Sequence, residues 1–248
     1  MNRTIIITGA DNGIGLAMAQ SLLEMGDRVA VFDLSLDHLD QAHPNLLPFQ
    51  CDITNPEQIL LAIEAVINRW KGIDILINNA CLAFFKPFVE RTMDDIRHEF
   101  EVNYFGYLNM INAVLPLMRK QKHGVIHNVS SGVGFTGMLG MTGYTSSKGA
   151  IESLTRTLSL ELADDGIIVN VMHPPLTRTK SASGFGVPPE MMADPMVVGR
   201  GLAKHVGSNK PFITPDFSSG LGIMASRHFP LAMGRFMKNM AKRAQVKN

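Results

Sequence analysis

The chain has 248 residues, 46% of them hydrophobic and 18% charged, with a formal net charge of +1; this describes one globular α/β domain with a large core and leaves no global field for nucleic acid. Its two cysteines, Cys51 and Cys81, exclude a disulfide framework and point to a reducing, cytoplasmic setting. No apolar run approaches the roughly 20 residues that span a bilayer, and the amino terminus enters a strand without a signal-peptide pattern.

Strand and helix signals alternate along the chain. Thr4–Thr8 (TIIIT) is a β-branched run that reads as a buried strand. A glycine turn, Gly9-Ala10-Asp11-Asn12-Gly13-Ile14-Gly15, leads into a helix with Ile14, Met18, Leu22 and Met25 on one stripe. A strand over 28–32 ends at Asp33, and a short polar helix follows near 35–41. Leu46–Gln50 is a third strand, after which Cys51-Asp52-Ile53 turns toward Asn55-Pro56-Glu57, the cap of a helix carrying Ile59, Ile63, Val66, Ile67 and Trp70. A strand over 73–77 runs into Asn78-Asn79-Ala80-Cys81, and one long helix over 93–119 contains Asn103. A strand over 125–129 delivers Ser130-Ser131, and a helix over 144–163 buries Ile151, Leu154, Leu158 and Leu162. After the strand Ile167–Met172 come a Pro-, Thr- and Ser-rich loop, a helix opened by Asp194-Pro195, a last strand over 210–214 and a helical tail over 217–248. This alternation predicts a single doubly wound parallel sheet, Rossmann-like, with helices on both faces. Such sheets bind ligands beyond the carboxyl ends of their strands, where the glycine turn, Asp33, Asp52, Asn78, Ser131 and the loop after Met172 fall.

Strand, glycine turn and helix in succession make a dinucleotide site. The glycines let the backbone approach a pyrophosphate, and the helix N-terminus offers free N–H groups. Asp33, eighteen residues beyond Gly15, suits a ribose 2′-hydroxyl and repels a 2′-phosphate, so NAD(H) is expected over NADP(H). Tyr144 and Lys148 stand four residues apart, on one helix face. A phenol with a pKa of about 10 is a poor acid–base group, and a neighbouring ammonium would draw it toward the working range. A serine hydroxyl beside it would bind a carbonyl or alcohol oxygen. Neighbours at a strand end point oppositely, so only one of Ser130 and Ser131 can face the substrate, with the other in support. The eight histidines show no ligand spacing, and no metal is expected.

Gly9-x-x-x-Gly13-x-Gly15, Asn78-Asn79-Ala80, Asn103, Ser131, Tyr144 and Lys148 together resemble the short-chain dehydrogenase/reductases over about residues 1–180. The resemblance implies that Tyr144 is the acid/base, that Lys148 lowers its pKa and holds a ribose, and that Ser131 orients the substrate oxygen. Asn103 would complete a proton relay through a water beyond the lysine. Cofactor contacts are implied for Gly9, Asp11, Asn12, Gly13, Ile14, Gly15, Asp33, Ile53, Asn79, Ala80, Tyr144, Lys148, Pro174 and Thr177, with Thr179 on a carboxamide. Asp52 either matches the family acid at the adenine or is an ordinary turn aspartate. Two positions depart from the family: Cys81 stands where a glycine is usual, and Pro174-Pro175 replaces Pro-Gly.

The leading expectation is an NAD(H)-dependent oxidoreductase that interconverts a secondary alcohol and a ketone or aldehyde. A dinucleotide-sensing binding protein on the same fold is the alternative; Cys81 and Pro175 favour it, and the complete Asn–Ser–Tyr–Lys set opposes it. An epimerase or dehydratase using NAD transiently fits the short chain and the turn spacing less well. The segment 175–201 is expected to wall the substrate, with Gly184, Gly186 and its prolines forming a mobile lid. Met191, Met192 and Met196 are either an adaptable apolar pocket or ordinary core. The tail holds Arg227, Arg235, Lys238, Lys242, Arg243 and Lys247, no acid, and a stripe of Met233, Phe236, Met237, Met240 and Ala244. That stripe is expected to cover the substrate cleft or pack on a partner subunit, with membrane contact ranked below both. An apolar cover would suit an apolar substrate. The resemblance further implies a homodimer or homotetramer assembled through the helices over 93–119 and 144–163.

Overall fold

The structure, a computed structural model, describes residues 2–185 and 187–245, without the side chains of Ser183, Phe185 and 241–245. Gly186 of the expected lid and the Ala244 side chain of the tail stripe therefore lie outside it, as does Lys247. Seven strands, β1 (Thr4–Thr8), β2 (Arg28–Asp33), β3 (Leu46–Gln50), β4 (Ile75–Asn78), β5 (Gly124–Val129), β6 (Ile167–Met172) and β7 (Phe212–Ile213), form one parallel sheet in the order β3-β2-β1-β4-β5-β6-β7. The helices are α1 (Gly13–Glu24), α2 (Pro56–Trp70), α3 (Met93–Phe100), α4 (Gly106–Gln121), α5 (Val133–Thr136), α6 (Thr142–Glu161), α7 (Pro195–Ala203), α8 (Phe217–His228) and α9 (Pro230–Gln245).

Alternation along β1 builds two cores. Ile5 and Ile7 pack with Met18, Leu22, Val198 and Leu202 on the α1/α7 face, whereas Ile6 packs with Ile59, Val66, Tyr107 and Ile151 on the α2/α4/α6 face. Each of the three isoleucines is 0% exposed and contributes about 1.5–3 kcal/mol by burial. The strand order reverses between β1 and β4, so the crevice at their carboxyl ends is the switch point where such sheets bind ligands. Local signals set the helix ends. Asn55 Oδ1 accepts the N–H groups of Glu57 and Gln58 ahead of Pro56, and Asp194 caps α7 the same way.

Several expected elements differ. No helix forms over 35–41, because the Asp11 carboxylate accepts the N–H groups of Asp37 (3.1 Å) and His38 (2.9 Å) and so diverts them from a helical ladder. The long helix over 93–119 is broken by a π turn, Glu101–Phe105, that contains Asn103. The fourth strand shifts to Ile75–Asn78. The last shortens to two residues between Pro211 and Pro215, which offer no N–H to a ladder. Met25 is half exposed and caps α1 rather than extending its stripe. The tail breaks at Phe229, ahead of Pro230, into two helices.

Candidate active site

The glycine turn is built for close approach. Gly9 and Gly13 have φ of +63° and +58°, which glycine adopts at no steric cost. A Cβ on Gly15 would lie 2.2 Å from the Gly9 carbonyl oxygen and 2.6 Å from Asn79 Nδ2. Asn79 braces the turn, its Nδ2 donating to the carbonyls of Thr8 (3.0 Å) and Gly9 (2.7 Å). Its neighbour Asn78 is buried against Asn128 instead.

This turn opens onto a cavity of about 320 Å³ whose lining includes Gly9, Asn12, Gly13, Ile14, Gly15, Asp33, Asp52, Ile53, Asn79, Ala80 and Thr179, and no lysine or arginine among the described residues. Asp33 is oriented by the Asp11 N–H, 2.8 Å from its Oδ2. Asp52 both lines the cavity and makes a turn, accepting the N–H and hydroxyl of Thr54 at 2.8 Å each. Asp11 corrects the sequence reading. Its side chain is buried, is absent from the lining of this cavity, and holds the Ser35 hydroxyl and the His38 ring nitrogen, each at 2.8 Å. Burial works against this carboxylate, but the hydrogen bonds from His38, Ser35 and Asp37 keep its pKa below the ordinary value. Only the Asp11 backbone adjoins the cradle.

A second cavity, of about 470 Å³, adjoins the first through Ile14, Asn79, Cys81, Thr179 and Ser181. Ser131, Tyr144, Lys148, Pro174, Pro175 and Thr177 line it. Burial pushes the Tyr144 phenol well above its ordinary range; Cys81 adds to the rise, and the Ser131 hydrogen bond opposes it. Lys148 is buried, and its Nζ donates to the Val129 carbonyl (2.8 Å) and to Tyr107 Oη (3.2 Å). Burial lowers its pKa, and Nζ stands 5.7 Å from the Tyr144 ring centre. The expected depression of the phenol by the ammonium is therefore outweighed: desolvation disfavours both charged forms. Glu99 fixes the start of α6. It accepts the Tyr144 N–H, accepts the Phe84 N–H at 2.9 Å and pairs with Arg91. A Cβ on Gly143 would collide with it.

Asn103 lines neither cavity. Its Oδ1 accepts the Leu82 N–H (2.7 Å), and its Nδ2 donates to the Leu82 carbonyl (2.8 Å) and Ser147 Oγ (3.1 Å). The side chain thus ties the segment after β4 to α6. Ser130 lines the second cavity beside Ser131, and its hydroxyl donates to the Lys148 carbonyl at 3.2 Å. Met191, Met192 and Met196 line neither cavity. The methionines of the pocket are Met233 and Met237 of α9, joined by Gly222, Ile223 and Ser226 of α8. Phe236 points out instead, 57% exposed. Lys148 is the one charged residue lining this second cavity among the described residues.

Residues 3–186 match the short chain dehydrogenase family. The chain belongs to that family. An uncharacterized oxidoreductase of Mycobacterium bovis is 30% identical over 249 residues, covering 95% of this chain and 97% of its own length. A 3-oxoacyl-acyl-carrier-protein reductase of Thermotoga maritima is 34% identical over 184 residues, 71% of this chain and 75% of its own. A crystal structure of a short chain dehydrogenase from Burkholderia cenocepacia in complex with NADP superposes with a TM-score of 0.81 at 28% identity, covering 95% of this chain and 97% of that one. This short-chain dehydrogenase is thus an oxidoreductase with a nicotinamide dinucleotide as its cofactor. The family match ends at residue 186, so the α8–α9 wall of its second cavity lies beyond the matched region.

Proposed function

We propose that this oxidoreductase uses NAD(H) to interconvert an uncharged, largely apolar secondary alcohol and its ketone or aldehyde, with Tyr144 as acid/base. The observation that carries the reading is the meeting of Ser131, Tyr144 and Lys148 in one cavity whose wall is otherwise uncharged. The two adjoining cavities together suit a dinucleotide, with its adenosine end in the first and its nicotinamide end reaching the second. A Cβ at Gly15 would strike the Gly9 carbonyl and Asn79, so glycine there lets the turn close on the N-terminus of α1, whose free N–H groups suit a pyrophosphate, and Asp33 would meet the 2′-position with no lysine or arginine in the cavity lining among the described residues. Asp52 and Ile53 would flank the adenine, Asn79, Ala80 and Lys148 the riboses, and Pro174, Thr177 and Thr179 the nicotinamide end. The Burkholderia relative carries NADP, so the preference for NAD(H) rests on Asp33 in this chain.

When bound, the dinucleotide accepts or supplies the electron pair and hydrogen at the substrate carbon. Ser131 holds the substrate oxygen and donates to charge developing on it. Tyr144 gives its proton to that oxygen in reduction and, as phenolate, removes it in oxidation. Burial favours the neutral phenol, the form required for reduction; oxidation should therefore be favoured at alkaline pH. Lys148 holds positive charge beside the phenol. Free Cys51 and Cys81 accord with a cytoplasmic setting, and exposed Met93, Phe105 and Leu160 on the expected pairing helices accord with a homodimer or homotetramer.

The test is NADH oxidation against a panel of alicyclic, steroidal and long-chain ketones. Tyr144→Phe should lose roughly a hundredfold or more in turnover while NADH affinity persists. An unmodified protein that binds NADH and reduces none of the panel would leave the dinucleotide-sensing reading in its place.

A further inference from the structure

Tyr107 lies one turn beyond Asn103 on α4 and, by its helical period, reads as core. It is 0% exposed, yet it carries a phenol, which needs partners when buried. Those partners belong to the active site. Tyr107 Oη donates to the Val129 carbonyl at 3.2 Å and accepts from Lys148 Nζ at 3.2 Å. The same Val129 carbonyl accepts from Nζ at 2.8 Å. The three groups close a triangle behind the lysine, and Nζ sits 5.0 Å from the centre of the Tyr107 ring. Asn103 is committed to Leu82 and Ser147.

We infer that Tyr107 is a positioning residue for Lys148: its hydroxyl, with the Val129 carbonyl, fixes where the ammonium sits and keeps it charged in a buried place. This rests on the reading of Lys148 as part of the catalytic set. An ammonium removed from water reverts to the neutral amine unless acceptors compensate it, and Lys148 is already drawn that way by burial. Burial pushes Tyr107 well above its ordinary range, so it remains a neutral phenol that donates to Val129 while accepting from the lysine. A phenylalanine there would keep the ring and remove only the hydroxyl, with its acceptor for Lys148 and its donor to Val129. The other titratable groups around Lys148 are Tyr144 and Glu152 on α6, Cys81 after β4 and His173 after β6, and that substitution leaves all four in place.

The experiment is a carbon-detected titration of the full protein labelled with 13C at lysine Cε, with Lys148→Met identifying the Lys148 signal. Tyr107→Phe should lower the Lys148 midpoint by about one pH unit or more, the worth of a hydrogen bond to a charged group. Misfolding would instead return the signal toward the ordinary value of about 10.4, so the two outcomes move in opposite directions. A midpoint that does not move, or one that rises in a variant with native circular dichroism, overturns the inference. In turnover, the variant should lose roughly tenfold in kcat with the ketone KM unchanged, and the pH limb governed by Tyr144 should move upward. An unmodified enzyme that reduces no ketone would defeat the proposed reaction, while the titration, which needs no substrate, still decides the role of Tyr107.

Discussion

Acidification from pH 7 to pH 5 should weaken this fold through its buried histidines, one of which is His127 of β5. The ring is fully buried. Its Nε2 accepts the Gly207 N–H at 2.9 Å, so the proton resides on Nδ1, which donates to Asn170 Oδ1 at 2.5 Å. Asn170 in turn donates to the Ser208 carbonyl at 2.8 Å. A second proton would have to enter at Nε2, where an N–H already points. Burial is the largest influence on the ring; the Asn170 hydrogen bond opposes it and Arg3 assists it, and the pKa falls from 6.5 to about 4. Because the folded pKa is depressed, the unfolded chain binds the proton more readily between those values. Stability is therefore full above about pH 6.5, is lost as the pH falls through 6.5, and levels off below about 4. For pKa values of 6.5 and about 4, linkage gives a loss of about 2 kcal/mol between pH 7 and pH 5, roughly twentyfold in the unfolding equilibrium.

Urea unfolding at fixed protein concentration, run at both pH values, measures this loss. His127→Gln keeps an acceptor for Gly207 but cannot titrate, so its pH 7 to pH 5 loss should be smaller by about that 2 kcal/mol. Equal losses in the two proteins, or an imidazole signal titrating near 6.5 and assigned to His127, would refute the reasoning. The consequence reaches the site, because β5 leads directly into Ser130 and Ser131.

Two further outcomes follow from the cavities. Asp33→Ala should weaken NADH by about tenfold, as expected for losing a charged hydrogen-bond acceptor, and should narrow its advantage over NADPH in a fluorescence titration; tighter binding of NADPH by the unmodified protein would reverse the assignment. Truncation after Phe217 removes Ile223, Ser226, Met233 and Met237 from the second cavity and nothing from the lining of the first, so the ketone KM should rise while NADH affinity holds. An unchanged KM would sink this account of the tail, and salt-sensitive co-sedimentation of the intact protein with anionic liposomes would restore the membrane reading.

What was legible in the sequence is what short-range chemistry fixes. Thr4–Thr8, the glycine turn and Asp33 follow one another within a single β–α–β unit, and residues of that kind can do little else in that order. Tyr144 and Lys148 were legible for the same reason, since one helical turn sets their relation whatever surrounds them. Two of the departures have a different cause: a side chain reached across the fold to a backbone. Asp11 took the N–H groups that a helix over 35–41 required. Asn103 reached 21 positions back to Leu82 from within the π turn that interrupts the expected helix. The amphipathic period of the tail identified an inward stripe, but a period does not say what the stripe faces, and only packing distinguished Met233 and Met237 at the pocket from Met191 and Met196 outside it. The Tyr107 hydroxyl meets its partners only where α4 passes the end of β5 and the lysine of α6. On the proposed reaction, the sequence motif supplies the reacting groups, and contacts between distant segments set their charge state. Conservative changes at Tyr107 or His127 should therefore alter the pH behaviour of the protein while leaving every motif residue in place.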